Sequence, residues 1–278
     1  MGLGLGLRLG LGGAGVLGAA GPTYDPDAAA WFEAVEATGA TFGPDSATVS
    51  ANKAAWSDWV IAQKNAESPI AGRSNWDQLT EPEEGYIQPL MGLSTFNVPA
   101  LFGNREFISF VAGDHDPATG LRGGGDRIIQ IDRRWNNTPL NDVSVAVFLT
   151  GPPTTGSSAI GRVAGTHSSS DDDVIRNDGI VASRGVAEDT IPLVGISTPR
   201  TLVVSRHTST GFVVLNGEVY DFSGSSTPNN AFLKFLNRRD LNRPSDARLG
   251  LATYGRSINL EAMNDACIAL SEAIVWPT

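Results

Sequence analysis

Cysteine is nearly absent from this chain of 278 residues, in which Cys267 is the only one. A single cysteine excludes an intrachain disulfide framework, so the sequence carries no record of an oxidising or reducing compartment. The three histidines, at positions 115, 167 and 207, are too far apart to show metal-ligand spacing. Basic residues are outnumbered, with 20 Lys and Arg against 30 Asp and Glu. The resulting net charge of −10 disfavours a nucleic-acid binder, because phosphate contacts need clustered Lys and Arg.

Several cofactor and catalytic motifs are also missing. No Gly-x-Ser-x-Gly, Walker A or dinucleotide-binding glycine pattern occurs between a strand signal and a helix signal. The Gly123-Gly124-Gly125 run precedes a predicted strand, so it cannot cradle a phosphate at a helix N-terminus. We therefore expect no cofactor, no nucleotide and no enzymatic activity.

Leucine and glycine alternate through the first twelve residues, MGLGLGLRLGLG. In an extended chain, a period of two places the leucines on one face and almost only hydrogen on the other. Glycine loses more backbone entropy on ordering than other residues, so such a segment needs a partner. We predict that residues 1–23 form an extended anchor and that residues 1–21 dock into another protein of the same assembly. Five side chains would make the contacts: Leu3, Leu5, Leu7, Leu9 and Leu11.

Two other interpretations of this tract stay open. It could be the cleaved leader of a secreted lectin, although Arg8 lies in its middle and glycines interrupt its apolar region. It could also be a membrane span, which needs about 20 mostly apolar residues and is rarely so rich in glycine. No long apolar run follows residue 21, so we expect no membrane insertion.

Residues 24–67 are predicted to form a helical hairpin. Asp25 or Asp27 can cap a first helix that has Pro26 in its first turn, and Gly39 can end it. The second helix is predicted over residues 46–65. The apolar faces, which we expect in the core, comprise Ala28, Trp31, Phe32 and Val35 in the first helix and Ala55, Trp56, Trp59 and Val60 in the second.

Residues 68–103 are rich in proline and glycine, which predicts an irregular connector. Five apolar side chains should attach it to the rest of the molecule: Trp76, Tyr86, Leu90, Leu93 and Phe96.

Residues 104–278 contain many short strand signals separated by turn signals. A buried strand is predicted at 143–149, and Asn216-Gly217 is the strongest hairpin signal. One helix, predicted at 259–274, would bury Cys267 as a small hydrophobic residue. This pattern predicts a mainly β fold, an antiparallel sandwich with a C-terminal helix.

Several segments resemble a known family. Ser205-Arg206-His207 followed by Val213–Tyr220, and the later run 233–254, are similar to strands of concanavalin A-like (laminin G-like) jelly rolls of tailed-phage structural proteins. Many of those proteins begin with Gly-Leu alternation and then a helix similar to residues 28–39. The resemblance implies an antiparallel jelly-roll sandwich in a virion protein, and a homo-oligomer, with a trimer compatible with the threefold symmetry usual in phage fibres.

Three candidate chemical sites also have simpler interpretations. Glu218 and Asp221 approach a glucanase carboxylate pattern, but residues three apart on a strand point to opposite faces. Asp114-His115-Asp116 could be an acid–base or metal site, but its Gly- and Pro-rich surroundings favour a turn. The run 171–173 (Asp171, Asp172, Asp173) could supply calcium ligands, although it lacks the alternate spacing of a calcium loop, so no metal is predicted.

Two patches are candidate glycan sites, because sugar rings stack on aromatic side chains and hydrogen-bond to Asn and Arg. The first comprises Arg133, Arg134, Trp135, Asn136 and Asn137. The second comprises Arg238, Arg239 and Tyr254. A solvated turn with Trp135 packed inward is an equally good interpretation.

Together these features predict a non-enzymatic attachment protein of a phage or phage-like particle, in the tail fibre or baseplate. Its N-terminus would join other virion proteins and its sandwich would bind host surface glycan. One alternative is a purely structural protein that cements tail or capsid subunits and binds no sugar. The other is a polysaccharide-degrading enzyme, for which the required carboxylate pair is missing from the sequence pattern.

Overall fold

The computed structural model describes residues 22–134, 139, 142–151, 232–237 and 245–277 with their side chains. It describes residues 162–165, 173–176, 179–181, 190–192, 200–207, 210–215 and 218–223 by their backbone. The anchor leucines of residues 1–21 lie outside the described residues, so the docking prediction for them stays a prediction.

Four α-helices and fifteen strands make up the described part of the chain. The helices are α1 (Pro26–Glu36), α2 (Ser46–Asn65), α3 (Asn75–Leu79) and α4 (Leu260–Ala273). The strands are β1 (Tyr86–Pro89), β2 (Arg105–Ile108), β3 (His115–Asp116), β4 (Gly120–Arg122), β5 (Ile128–Arg134), β6 (Asp142–Gly151), β7 (Arg162–Gly165), β8 (Asp173–Arg176), β9 (Gly179–Val181), β10 (Thr190–Pro192), β11 (Arg200–His207), β12 (Thr210–Leu215), β13 (Glu218–Ser223), β14 (Phe232–Phe235) and β15 (Arg248–Gly255).

The strands form two antiparallel sheets, which confirms the predicted mainly β sandwich. Sheet 1 has the order β13-β12-β11-β6-β15-β4-β3, and β1 also pairs with β15. Sheet 2 has the order β10-β9-β8-β7-β14-β5-β2. Between them lies one core cluster that includes Val145 and Val147 of sheet 1 and Ile129, Ile131 and Phe235 of sheet 2.

A layer of helices covers the other face of sheet 1. Alternate residues of β6 show this, because Val145 and Val147 belong to the core between the sheets while Ala146 and Phe148 belong to a second core cluster. That second cluster contains the apolar faces of α1, α2 and α4. β6, in the middle of sheet 1, is therefore buried on both faces, which explains why residues 143–149 read as a nearly continuous apolar run.

The two predicted N-terminal helices are confirmed. Asp25 caps α1 by accepting a hydrogen bond from the Asp27 N–H at 2.9 Å, and Asp45 caps α2 through Thr48 N–H at 2.9 Å. Gly39 follows α1 with a φ of +84°, which favours glycine. All the tryptophans of these two helices are core residues, as predicted: Trp31, Trp56 and Trp59.

The prediction that residues 68–103 lack regular structure is wrong at two places. α3 begins with a capping box between Ser74 and Asp77. This local signal for the start of a helix is present in the sequence, but the surrounding prolines and glycines led to the prediction of an irregular segment. β1 pairs with one edge of β15, where Pro89 ends the strand. A glycine is required at position 85, because a Cβ there would lie 2.2 Å from the carbonyl oxygen of Leu79.

Candidate functional site

The first predicted patch begins at the end of β5, where Arg133 and Arg134 point to opposite sides of sheet 2. Arg133 is engaged within the protein, because its Nε donates to the carbonyl oxygen of Gly85 at 3.1 Å and its Nη1 lies 2.8 Å from Asp132 Oδ1. Its side chain is only 14% exposed, so Arg133 holds β5 against the start of β1 instead of facing solvent. Trp135, Asn136 and Asn137 lie outside the described residues.

Arg134 lies on the outer face of sheet 2. Its guanidinium carbon is 4.6 Å from the centre of the Phe232 ring on the neighbouring strand β14, within the range of a cation–π contact. The two residues are register partners across β5 and β14. The sequence predicts an arginine beside the aromatic ring of Trp135. In the structure, the ring beside Arg134 is that of Phe232, which lies 98 positions further along the chain.

The residues that precede Arg238 and Arg239 of the second predicted patch follow β14. β14 runs antiparallel to β5, with Phe232 opposite Arg134 and Phe235 opposite Ile129. Ile129 lies near the end of β5 that is far from Arg134. At about 3.3 Å per strand residue, the chain that follows Phe235 therefore leaves sheet 2 about 20 Å from Arg134. Arg238 and Arg239 lie outside the described residues, but the neighbouring Asn237 is buried and donates to Gly125 O at 2.8 Å.

Tyr254 does not belong to the second patch. Its side chain is completely buried between the sheets, and its hydroxyl donates to the carbonyl oxygen of Arg134 at 3.2 Å. This bond places Tyr254 at the Arg134 end of the sandwich, and its complete burial removes it from the surface.

A row of polar residues crosses the outer face of sheet 2 next to Arg134 and Phe232. Lys234 of β14 is opposite Gln130 of β5, and Gln130 is opposite Glu106 of β2. These positions face outward because Ile129, Ile131, Leu233 and Phe235, which alternate with them, belong to the core between the sheets. We call the set Phe232, Arg134, Lys234, Gln130 and Glu106 the β5 platform.

The exposure of the β5 platform differs from strand to strand. Glu106 is exposed, Phe232, Arg134 and Gln130 are half-buried, and Lys234 is 8% exposed. Four of the five residues were missed in the sequence, because the set is assembled by two strand pairings: β14 with β5, more than 90 residues apart, and β2 with β5. The alternation of apolar and polar residues in β5 could have indicated which of its side chains face outward.

Two carboxylates, Glu84 and Asp142, share Arg256 near the start of β6. Glu84 accepts from Arg256 with both oxygens, at 2.6 and 3.1 Å, and Asp142 Oδ2 lies 3.6 Å from the same guanidinium. Asp142 Oδ1 also accepts from the Ser257 N–H and Oγ. The hydrogen bonds that Arg256 donates to Glu84 raise the pKa of Arg256 above its ordinary value. Both carboxylates are therefore engaged within the protein.

Asp114-His115-Asp116 is not itself the predicted turn: Asp114 ends a short 3-10 helix (Ala112–Asp114), His115 and Asp116 form β3, and the turn follows at residues 117–119. Asp114 accepts from Val111 N–H at 2.9 Å and pairs with Arg127 Nε at 2.6 Å. Asp116 Oδ1 accepts from the backbone N–H groups of the two residues Ala118 and Thr119. His115 Nε2 lies 3.0 Å from Leu90 O, and burial lowers the pKa of this histidine.

Among the described residues, no three His, Cys, Asp or Glu side chains are grouped so that they could hold a metal ion. Asp171 and Asp172 lie outside those residues, and Asp173 is the first residue of β8. The calcium alternative therefore stays a sequence-based hypothesis. Within the part of the chain that is described, no helix has the length and apolar character needed to cross a membrane.

Comparison with known proteins identifies no family. No protein-family model matches the chain, and no curated protein matches it. Among solved structures, it is similar to a Trypanosoma rangeli sialidase in complex with 2,3-difluorosialic acid, with 13% identity and a TM-score of 0.49 over 80% of this chain. The similarity covers 39% of the sialidase chain.

Two further solved structures show weaker similarity. Domain 4 of AbnA, an extracellular arabinanase from Geobacillus stearothermophilus, in complex with arabinotriose, has 14% identity and a TM-score of 0.36, covering 69% of this chain and 93% of that one. The binding domain of botulinum neurotoxin DC has 10% identity and a TM-score of 0.34, covering 60% and 45%. All three TM-scores lie below 0.5, so the architecture described above rests on the strand pairing of this chain itself.

Proposed function

We propose that this protein is a non-enzymatic attachment component of a phage or phage-like particle, and that it binds host surface glycan through the β5 platform. Residues 1–21 would join it to neighbouring subunits of the particle. The concanavalin A-like jelly-roll connection and the location in the virion belong to this proposal, and they are supported by the sequence resemblance of residues 2–12, 28–39 and 205–254.

The observation that carries the glycan-binding part is the contact between Arg134 and Phe232. A guanidinium has five N–H donors in a planar fork, so it can serve several acceptors at once. Packing against the Phe232 ring holds that plane in one orientation and lowers the entropy lost when a ligand binds. The half-buried amide of Gln130 lies on the same face of β5, which adds a further donor for hydroxyl or carboxylate oxygens.

The composition of the platform favours an acidic sugar. Arginine binds carboxylate through two parallel charge-assisted hydrogen bonds, about twice as strong as neutral ones. Glu106 at the far end of the row would accept hydrogen bonds from sugar hydroxyls. A uronic or other carboxylated sugar would therefore place its carboxylate at Arg134 and its hydroxyls toward Glu106.

Binding of the full-length protein to an array of acidic and neutral bacterial polysaccharides tests this proposal. We expect binding to acidic polysaccharides and a loss of about tenfold in affinity for Arg134→Gln, because one charge-assisted contact contributes roughly 1.5–3 kcal/mol. Phe232→Ala should weaken binding in the same direction. Arg122→Gln is the matched control, since Arg122 is a 52% exposed arginine on the other sheet.

Three other outcomes would contradict parts of the proposal. Equal binding by the Arg134→Gln and Arg122→Gln variants would place the glycan site elsewhere. No binding by a folded protein, to the array or to host cells whose sugars are intact, would favour the cementing role. Release of reducing ends from any polysaccharide would show that the protein is an enzyme.

A further inference from the structure

The two sheets end in five edge strands among the described residues, counting β1, which pairs with β15 alone, and one of these is much better suited than the others to accept a further strand. β13 has six residues, against four each in β1 and β2, three in β10 and two in β3. Within the described chain, β13 has a strand partner on one side only, β12. An edge strand of this length offers a row of backbone N–H and C=O groups to another strand.

The register across sheet 1 shows which face of β13 continues the core. Val145 of β6 is opposite Val204 of β11, Val204 is opposite Val213 of β12, and Val213 is opposite Tyr220 of β13. Val145 belongs to the core between the two sheets. Position 220, and with it position 222, therefore lies on the core side of the sheet, and the apolar row reaches the edge of the sheet at an aromatic residue.

The opposite face of β13 lies on the helix side. Val219 and Asp221 hold the alternate positions, in register with Val214 and Phe212 of β12. α4 packs against β11 and β12, the third and second strands from this edge. A strand added to β13 would thus need apolar residues on its core side, and would be best without bulky residues on the side next to the helix layer.

Residues 2–12 have this pattern. They alternate leucine with glycine, apart from Arg8 on the glycine side, and precede the first described residue. With Leu7 opposite position 220, a pairing along the six residues of β13 would place three leucines on the core side next to positions 220 and 222. It would place two glycines and Arg8 toward the helix side. Addition of an extended segment to a sheet edge is a common mode of recognition, in which backbone bonds give affinity and alternate side chains give specificity.

We propose that residues 2–12 of one copy of this protein add as a strand to the β13 edge of a second copy. This inference deepens the attachment part of the proposed function by naming the neighbouring subunit, and it does not depend on glycan binding. Each copy has one donor segment and one acceptor edge, so the contact is head-to-tail. Contacts of this type close into rings when the rotation allows it, which agrees with the expected homo-oligomer.

The mass of the purified full-length protein in solution, measured by light scattering, tests the proposal. We expect a multiple of the 29.2 kDa chain mass. Two variants should be monomers: one lacking residues 2–12, and one in which the same eleven residues are rearranged so that the leucines form one block. The second variant keeps length and composition and removes only the alternation. Far-UV circular dichroism verifies that both are folded.

Disulfide trapping identifies the acceptor strand. In a Cys267→Ala background, a Leu7→Cys protein mixed with a Tyr220→Cys protein should form a covalent heterodimer. Leu7→Cys mixed with Ile61→Cys is the control, because Ile61 is 40% exposed on α2, away from β13.

Three results would overturn the proposal. The first is a monomeric full-length protein, and the second is an unchanged mass after deletion of residues 2–12. The third is a disulfide that forms only within a chain carrying both cysteines and never between mixed chains, since that result would place the segment on its own β13. Glycan binding by the β5 platform would be unaffected by any of these results, so the two proposals can fail separately.

Discussion

Tryptophan side chains show how single residues join distant parts of this protein. The Trp31 Nε1–H donates to Pro99 O at 2.9 Å, and the Trp56 Nε1–H donates to Met91 O at 3.2 Å. Each ring thus fills the helix-side core and fixes the backbone of residues 68–103 at the same time. Burial of the rings follows from helical periodicity, whereas their hydrogen-bond partners do not.

His115 is the residue for which we predict a pH effect. Its Nε2 is 3.0 Å from Leu90 O, its ring packs 6.1 Å from that of Phe96, and the charged groups around it are Asp114, Asp116 and Arg248. Burial lowers the pKa of His115 below its ordinary 6.5. The unfolded chain therefore binds the proton first on acidification, and the free energy of unfolding falls as pH drops from about 6.5 toward the folded pKa.

Urea unfolding at a series of pH values between 7.5 and 5 measures this effect. The wild type should lose more stability over that range than the His115→Gln variant, because glutamine stays neutral. The difference between the two curves isolates His115 from the carboxylates, which titrate in both proteins. Parallel curves would show that protonation of His115 does not affect folding.

At the scale of elements, the helix layer is held together by buried amides as well as by apolar contact. Asn52 of α2 donates through Nδ2 to Phe42 O at 2.6 Å and to Val275 O at 2.8 Å, and its Oδ1 accepts from Val275 N–H at 2.8 Å. One side chain thereby satisfies the backbone just beyond α4 and the loop before α2. At the other end of the pair formed by α2 and α4, Asn75 bonds to Gln63 of α2 and to the backbone of Asn259, just before α4.

Asn52→Ala should lower the free energy of unfolding by about 2–3 kcal/mol, since three backbone groups bonded to this fully buried amide would lose their partner. Chemical denaturation monitored by tryptophan fluorescence measures the change. Asn97→Ala, at an exposed position, is the control and should change stability by less than about 0.5 kcal/mol. A loss for Asn52→Ala no larger than that of the control would mean that water replaces the amide without cost.

At the scale of the whole molecule, the two ends of the chain have opposite roles. The buried residues of the two described core clusters lie between Ala28 and Leu270, and α4 contributes Met263, Cys267 and Leu270 to the helix-side cluster. Deletion of residues 2–20 should therefore leave a folded protein, whereas deletion of residues 259–278 should not. The second deletion exposes Phe148 and other apolar residues on the helix side of sheet 1.

Thermal unfolding and binding of a hydrophobic dye distinguish the two deletions. We expect cooperative unfolding and little dye binding for the first, and aggregation or strong dye binding without a cooperative transition for the second. A cooperative transition in the protein that lacks residues 259–278 would contradict the role of α4 as a cover for sheet 1.

Prediction from the sequence succeeded where a signal is local. Ser46–Asn65 forms the second helix with the predicted bounds, and the hairpin predicted at Asn216-Gly217 agrees with the pairing of Leu215 with Glu218. It failed at β1, because this strand depends on one edge of β15, which lies more than 160 residues away. It also failed at Tyr254, because alternation along a strand does not show which face is covered.

The sequence by itself determined the class of the fold, the three longer helices, the burial of their apolar faces and the alternating pattern of residues 2–12. All of these follow from interactions between residues a few positions apart, or from composition. Only the tertiary structure decided that β6 of sheet 1 is covered on both faces, that Arg133 is held by Gly85 and Asp132, and that Arg134 meets Phe232. These features arise from pairing between strands distant in sequence, whose register is set by the packing of the whole core.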